Sequence, residues 1–212
     1  MTSRRISLAA PFRDLTDFPA LRVADGTPVW RVVAESHREE PWRFGCSGDG
    51  RFDLHRHGPA GTCYVAATPP AALVEAAAPQ SASSPPILTA AVFRERHLQQ
   101  VPMPATERIA DTRARRVAGY GVTAELGTVI PYTLPQWWAQ ALHHQGFAGV
   151  RYEPRHAVGD TAFALFGPRG TRGGAGIISE LDAATFRALL EPVGVKVLGP
   201  PLRRDALDVV DP

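Results

Sequence analysis

The spacing of apolar positions changes several times along this chain, and each change marks an element. Residues 28–33, PVWRVV, alternate as a strand does, so that Trp30 and Val32 face one way and Arg31 and Val33 the other. The polar connection SHREEPWRFGCSGDG follows, with Pro41 and its glycines marking turns before Arg51 and Phe52. Residues 61–67, GTCYVAA, predict a second strand with Cys63 and Val65 on one face and Tyr64 and Ala66 on the other. Thr68 then suits an N-cap with Pro69 at the first helical position, where its missing N–H costs nothing, and the helix runs to about residue 78.

Beyond that helix the Pro/Ser-rich residues 79–86 read as a break, residues 87–93 as a strand and residues 94–119 as a region with helical stretches. Leu134, Trp137, Trp138, Ala141 and Leu142 recur at helical spacing from Thr133 onward, and Gly146 supplies the stop. Strands are expected at 149–152 and 161–166, a helix at 182–190 and a last strand at 194–198. Without a regular βαβ rhythm, the mixture predicts an α+β fold. The chain divides into a lead-in over residues 1–27, one domain over 28–198 and a C-terminal tail over 199–212.

Composition narrows the classes. With 212 residues and 44% apolar content, the chain can bury one sizeable core. A net charge of +2, with basic and acidic residues interspersed, argues against a dedicated nucleic-acid binder. Lys196 is the only lysine among the 23 basic residues, a bias that coding composition explains as readily as phosphate binding. Cys46 and Cys63 are too few for a disulfide framework and point to a reducing compartment. No segment has the apolar length of a signal core or membrane span, so a cytoplasmic location is expected.

The candidate chemistry gathers between Gly50 and Ala76. Glu75 is the only charged residue between Tyr64 and Phe93, on a helix whose other positions are apolar. It either faces solvent opposite Leu73 and Val74, or faces a cleft and a cationic partner, since a carboxylate on a helix buried all round is costly unless matched. Arg31 and Arg51 are the natural partners. Two guanidinium forks and a carboxylate in one cleft suit a nucleotide diphosphate with its ribose, although surface positions for both arginines remain open. Tyr64 either stacks on a flat ring or fills the core. The pair His55 and His57 lacks a companion pair at metal-ligand spacing, so no metal is expected. Gly167 to Gly176 fits no phosphate-binding motif and reads as a mobile hairpin loop.

Taken in order, VWRVV, GRFD, GTCYVAATPPAALVEA, GFAGVRYEPR and AFALFG resemble the RES-domain family over about Val29 to Gly167. The resemblance implies an ADP-ribosyltransferase-like fold, a single α+β domain of mixed sheets with flanking helices. It implies an enzyme that degrades NAD as a phosphorylase or glycohydrolase, with inorganic phosphate as a co-substrate in the first case and no cofactor beyond NAD itself. Members commonly act as toxins neutralised by a helical antitoxin that blocks the cleft, and self-association stays open as a further partnership. Carried over by position, Arg31 and Arg51 would hold the NAD phosphates, Tyr64 would pack at the nicotinamide-ribose end, and Glu75 would bind ribose and stabilise positive charge. The family's serine, expected two positions after the tyrosine of G-[IV]-x-Y, is Pro154 here. Proline offers no hydroxyl, which puts the acceptor and full activity in question and brings Arg155 and His156 forward as substitute polar groups. A non-catalytic nucleotide-binding regulator and a protein ADP-ribosyltransferase are the alternatives.

Overall fold

A computed structural model describes residues 8–77, 87–89, 92, 94–174, 176–180 and 182–198. The expected break at 79–86 and the tail at 199–212 lie outside these residues. Twelve strands and three α-helices occur among the described residues. In chain order they are β1 (Ala20–Val23), β2 (Thr27–Ala34), β3 (Trp42–Phe44), β4 (Ala60–Ala66), α1 (Pro69–Ala77), β5 (Ile87–Thr89), β6 (Arg96–Met103), β7 (Thr106–Asp111), α2 (Thr133–His144), β8 (Gly149–Tyr152), β9 (Ala162–Pro168), β10 (Gly170–Arg172), β11 (Ile177–Glu180), α3 (Ala183–Leu190) and β12 (Lys196–Leu198).

Eight strands form one mixed sheet in the order β1-β7-β8-β9-β4-β2-β6-β11, in which only β7 and β8 run parallel. Its weak point sets the site. β2 and β4 meet only at Trp30 opposite Ala66, whereas β2 pairs with β6 along its whole length and β4 pairs likewise with β9. The sheet therefore parts into two leaves, and a cleft opens between them. Two short pairs, β3 with β10 and β5 with β12, complete the strands.

Alternation along the strands gives the two faces different cores. One face buries Phe52, Leu73, Val74, Trp138, Leu142, Tyr152 and Phe186 beneath the helices. The other buries Val29, Trp42, Phe44, Cys63, Val65, Val101 and Leu165. Full burial of side chains such as Leu73 and Val74 stabilises by about 1.5–3 kcal/mol each. The predicted facing of β2 and β4 holds, with Trp30, Val32, Tyr64 and Ala66 toward the helices and Val29, Cys63 and Val65 toward the second core.

Three expectations are revised. Residues 94–119 carry the long strands β6 and β7 followed by a 3-10 turn over Arg115–Tyr120, not α-helix. Pro102 and the polar pair Gln99 and Gln100 obscure the alternation of β6 in the sequence, while its pairing on both sides supplies the stability. The polar connection holds β3, and the glycine-rich segment holds its partner β10; three-residue strands become stable only through such distant pairing. Finally, the lead-in contributes β1 at the sheet edge and puts Leu15 and Phe18 into the core.

Candidate active site

Helix α1 begins as its sequence predicts, with Thr68 Oγ1 accepting from Ala71 N at 3.3 Å and Pro69 in the first turn. Ala71, Ala72, Leu73, Val74 and Ala77 are all buried, so the helix is apolar on every side but one. Glu75, half-buried, occupies that side and lines the cleft. Tyr152 Oη donates to Glu75 Oε2 at 2.6 Å from the end of β8. Burial pushes the Glu75 carboxyl above its ordinary range, opposed by the Tyr152 hydrogen bond and the nearby Arg51 charge. The Tyr152 phenol, itself buried, is held well above the usual tyrosine range first by burial and then by the Glu75 charge. Tyr152 therefore stays a donor, and Glu75 has one side free for a ligand.

Arg51 reaches the same place through a tightly organised turn. Asp53, buried, accepts on Oδ2 from Ser47 Oγ (3.1 Å), Gly48 N (2.9 Å) and Gly50 N (3.1 Å), and on Oδ1 from Tyr64 Oη (2.9 Å). The Tyr64 hydroxyl in turn accepts from Phe52 N at 2.8 Å, and Gln136 Nε2 on α2 donates to the carbonyls of Gly48 and Gly50, both at 2.9 Å. A side chain at Gly50 would collide with Asp53 Oδ1 and Tyr64 Oη, so glycine is the residue this turn admits. Burial above all, with the Asp53 charge second, raises the Tyr64 phenol well above its ordinary value. Arg51 leaves the turn almost fully buried, with Nη1 donating to Val129 O at 2.9 Å and its guanidinium 4.5 Å above the Tyr132 ring.

The structure thus brings Arg51, Tyr64 and Glu75 together. Arg31 lines the same cleft from the other face of the sheet, beside the parting of β2 and β4. Its Nη1 donates to Pro41 O and, at 3.1 Å, to Cys63 Sγ; it makes no hydrogen bond or ion pair with Glu75. Arg31 Nε and the Oε1 of Gln99, its partner across β2 and β6, are both buried without a hydrogen-bond partner among the described residues. Pro154 is buried and does not line the cleft, whereas Arg155 and His156 do. Burial, then Arg155 and Arg51, depress the His156 imidazole below its ordinary value.

Sequence reasoning did not reach Asp53, Gln136, Tyr132 or the part Tyr152 plays. For Asp53 the sequence offers only its place three residues after Gly50 in a glycine-rich turn, since it accepts from N–H groups that precede it. Gln136 lies off the apolar stripe of α2, and nothing local shows where it points. The Tyr152 bond joins residues 77 apart and leaves no local trace.

Arg31, Arg51, Asp53, Tyr64, Glu75 and Tyr152 line one cleft of about 1810 Å³, which also carries Arg43, Arg56, Arg155 and Arg169. Six arginines face three carboxylates along its walls, and one of the three, Asp53, is engaged by its own turn. The cleft is therefore biased toward an anionic ligand, with one carboxylate positioned for a cationic or hydroxyl-bearing part of it. Among the described residues no group of three or more His, Cys, Asp or Glu side chains is arranged to hold a metal, and no helix is long and apolar enough to cross a membrane.

Comparison with known proteins bears on this geometry. Among curated proteins, none matches the chain. Among solved structures, a chain of the M. tuberculosis MbcT–MbcA toxin–antitoxin complex is similar at 14% identity, with a TM-score of 0.57 over 80% of this chain and 91% of that one. That likeness shows the fold, an ADP-ribosyltransferase-like α+β arrangement. The sequence profile of the RES domain matches residues 28–184, which take in the cleft's sheet apart from its edge at β1 and Thr27, together with α1 and every residue of the Arg51–Glu75 constellation. The chain belongs to the RES-domain family.

Proposed function

We propose that this chain cleaves the nicotinamide–ribose bond of NAD. The observation that carries the reading is Glu75, a half-buried carboxylate held by Tyr152 Oη and electrostatically coupled to Arg51, inside a cleft whose walls are rich in arginine. NAD has the matching features, a diphosphate and a cationic nicotinamide on a ribose. Arg51 holds the diphosphate, and Arg31, which lines the same cleft, supplies a second guanidinium to it. Tyr64 packs at the nicotinamide-ribose end while its hydroxyl fixes the turn that carries Arg51.

In the reaction the C1′–N bond breaks with its electron pair moving to the nicotinamide nitrogen, so that neutral nicotinamide leaves and positive charge develops on the ribose. The Glu75 carboxylate stabilises that charge, and an interaction stronger in the transition state than in the ground state lowers the barrier. A water or phosphate oxygen then bonds to C1′ and releases its proton to Glu75 or to solvent. Loss of NAD would arrest growth, which fits a toxin restrained by a partner protein; the similar structure is of such a complex.

One observation favours a second reading, an NAD-binding module without turnover: Pro154 provides no hydroxyl where the family pattern has serine, and it is buried off the cleft. Product analysis separates the two. Incubation with NAD in phosphate-free buffer and in phosphate should leave NAD intact in the first and give ADP-ribose 1″-phosphate in the second if the acceptor is phosphate, and should give ADP-ribose in both if it is water. Intact NAD in both buffers, with NAD bound, would leave only the non-catalytic module.

A further inference from the structure

The far end of the cleft has a feature that cleavage of the nicotinamide bond leaves unused. Arg43 on β3 stands opposite Thr171 on β10, so their side chains share one face of that two-stranded ribbon. Arg169, two residues before Thr171, donates from Nη1 to Arg56 O at 3.4 Å, and Arg56 is itself fixed by donating from Nε to Ser47 O at 3.0 Å. All three arginines are exposed and line the cleft. Arg38, Arg113 and Arg151 each have a carboxylate within ion-pair distance, yet among the described residues none of Arg43, Arg56 and Arg169 does. Like charges gathered at one rim repel each other unless an anion lies between them.

The strand register gives the separation from the chemistry. Tyr64 pairs with Ala164, and Arg169 lies five residues further along, which at about 3.3 Å per residue is about 17 Å. That distance is comparable with the span of an extended dinucleotide from one ribose to the other. A phosphate acceptor attacking beside Glu75 would be too far away to use Arg169. A phosphate monoester on the distant ribose would be within reach of these arginines.

We propose that Arg43, Arg56 and Arg169 form a subsite for the 2′-phosphate of an adenosine ribose, so that the chain takes NADP in preference to NAD. The proposal rests on the dinucleotide reading of the cleft. Guanidinium forks bind phosphate monoesters bidentately, and two such contacts favour the phosphorylated ligand by about 10- to 100-fold.

Calorimetry with adenosine 2′,5′-bisphosphate and with AMP tests this without turnover. The native chain should bind the bisphosphate about 10- to 100-fold more tightly, and the double variant Arg43→Ala/Arg169→Ala should bind the two alike. In parallel, kcat/KM for NADP should fall in the double variant while kcat/KM for NAD and its dependence on inorganic phosphate stay unchanged. Tight bisphosphate binding without cleavage of either dinucleotide would uphold the subsite and refute the cleavage reading. Equal binding of AMP and the bisphosphate by the native chain would overturn the subsite, as would equal losses for NAD and NADP. A double variant that instead loses its response to inorganic phosphate would assign the arginines to free phosphate and also overturn it.

Discussion

Tyr152 donates its hydroxyl proton to Glu75 at 2.6 Å, joining the end of a strand to the exposed flank of a helix 77 residues earlier. Tyr152 is 1% exposed and Glu75 is half-buried, so the pair sits where the hydrophobic core meets the cleft. The bond orients the carboxylate and leaves its other oxygen for a ligand. Tyr152→Phe keeps the ring's packing against Phe52, 4.9 Å away, and removes only the donor. We expect kcat for NAD cleavage to fall about 10- to 100-fold, the worth of a hydrogen bond to a charged group, with little change in KM.

The acid limb of the pH–rate profile reports the same pair. Glu75 acts as a carboxylate, and burial raises its pKa above the ordinary glutamate value. Activity should therefore decline at a pH above the usual glutamate range as the solution is acidified. In Tyr152→Phe the limb should move to still higher pH, because the lost hydrogen bond favours the ionised form. An unchanged limb in the variant would separate Tyr152 from the titration of Glu75.

Stability should move in the opposite sense to activity. A carboxyl whose folded pKa lies above its unfolded value imposes no penalty below the unfolded pKa, where both states are protonated. Its penalty appears as pH rises through the folded pKa and is complete above it. Glu75→Gln removes that penalty, so its Tm should exceed that of the native chain at neutral pH and match it more closely near pH 4. Thermal melts at the two pH values measure the difference; a lower Tm for the variant at neutral pH would contradict it.

Asp53 and Gln136 hold Arg51 at one remove. Asp53→Ala leaves Ser47, two backbone N–H groups and Tyr64 without their acceptor, and should cost about 2–3 kcal/mol of stability. Gln136→Ala loses two hydrogen bonds at the edge of the same turn, and should raise KM for NAD several-fold while changing kcat less. Arg51→Ala removes the fork itself and should weaken NAD binding by about 10- to 100-fold. If Gln136→Ala and Arg51→Ala bind NAD like the native chain, the turn does not serve the ligand.

The parts of this fold that could be read from the sequence are those whose information is local. The alternation of β2 and β4, the cap at Thr68 and the start of α2 at Thr133 all lie within a few residues, and each appears where its pattern puts it; the stripe of α2 is shifted, with Trp137 exposed and Pro135 and Ala139 buried beside Trp138 and Leu142. β6 was hidden because one of its faces carries His97 and Gln99 beneath the Glu35–Arg38 turn, so its alternation is not one of polarity. β3 and β10 depend on each other across more than 120 residues. The site divides in the same way. Glu75 was legible as a lone charge on an apolar helix, and its partner Tyr152 was not, since only the antiparallel registers of β8 with β9 and of β9 with β4, the strand that leads into α1, bring them together. The parting of β2 from β4, which makes the cleft and admits Arg31, is a property of strand pairing that neither strand shows alone.

The central claim is that Glu75 promotes departure of nicotinamide, and the most direct measurement is nicotinamide release from NAD followed by proton NMR. The native chain and Glu75→Gln should be compared at equal NAD occupancy. Steady release by the native chain, with a loss of at least about 100-fold in the variant and binding largely retained, is the predicted result. Release by Glu75→Gln at the native rate, or none from the native chain with NAD bound, would contradict it.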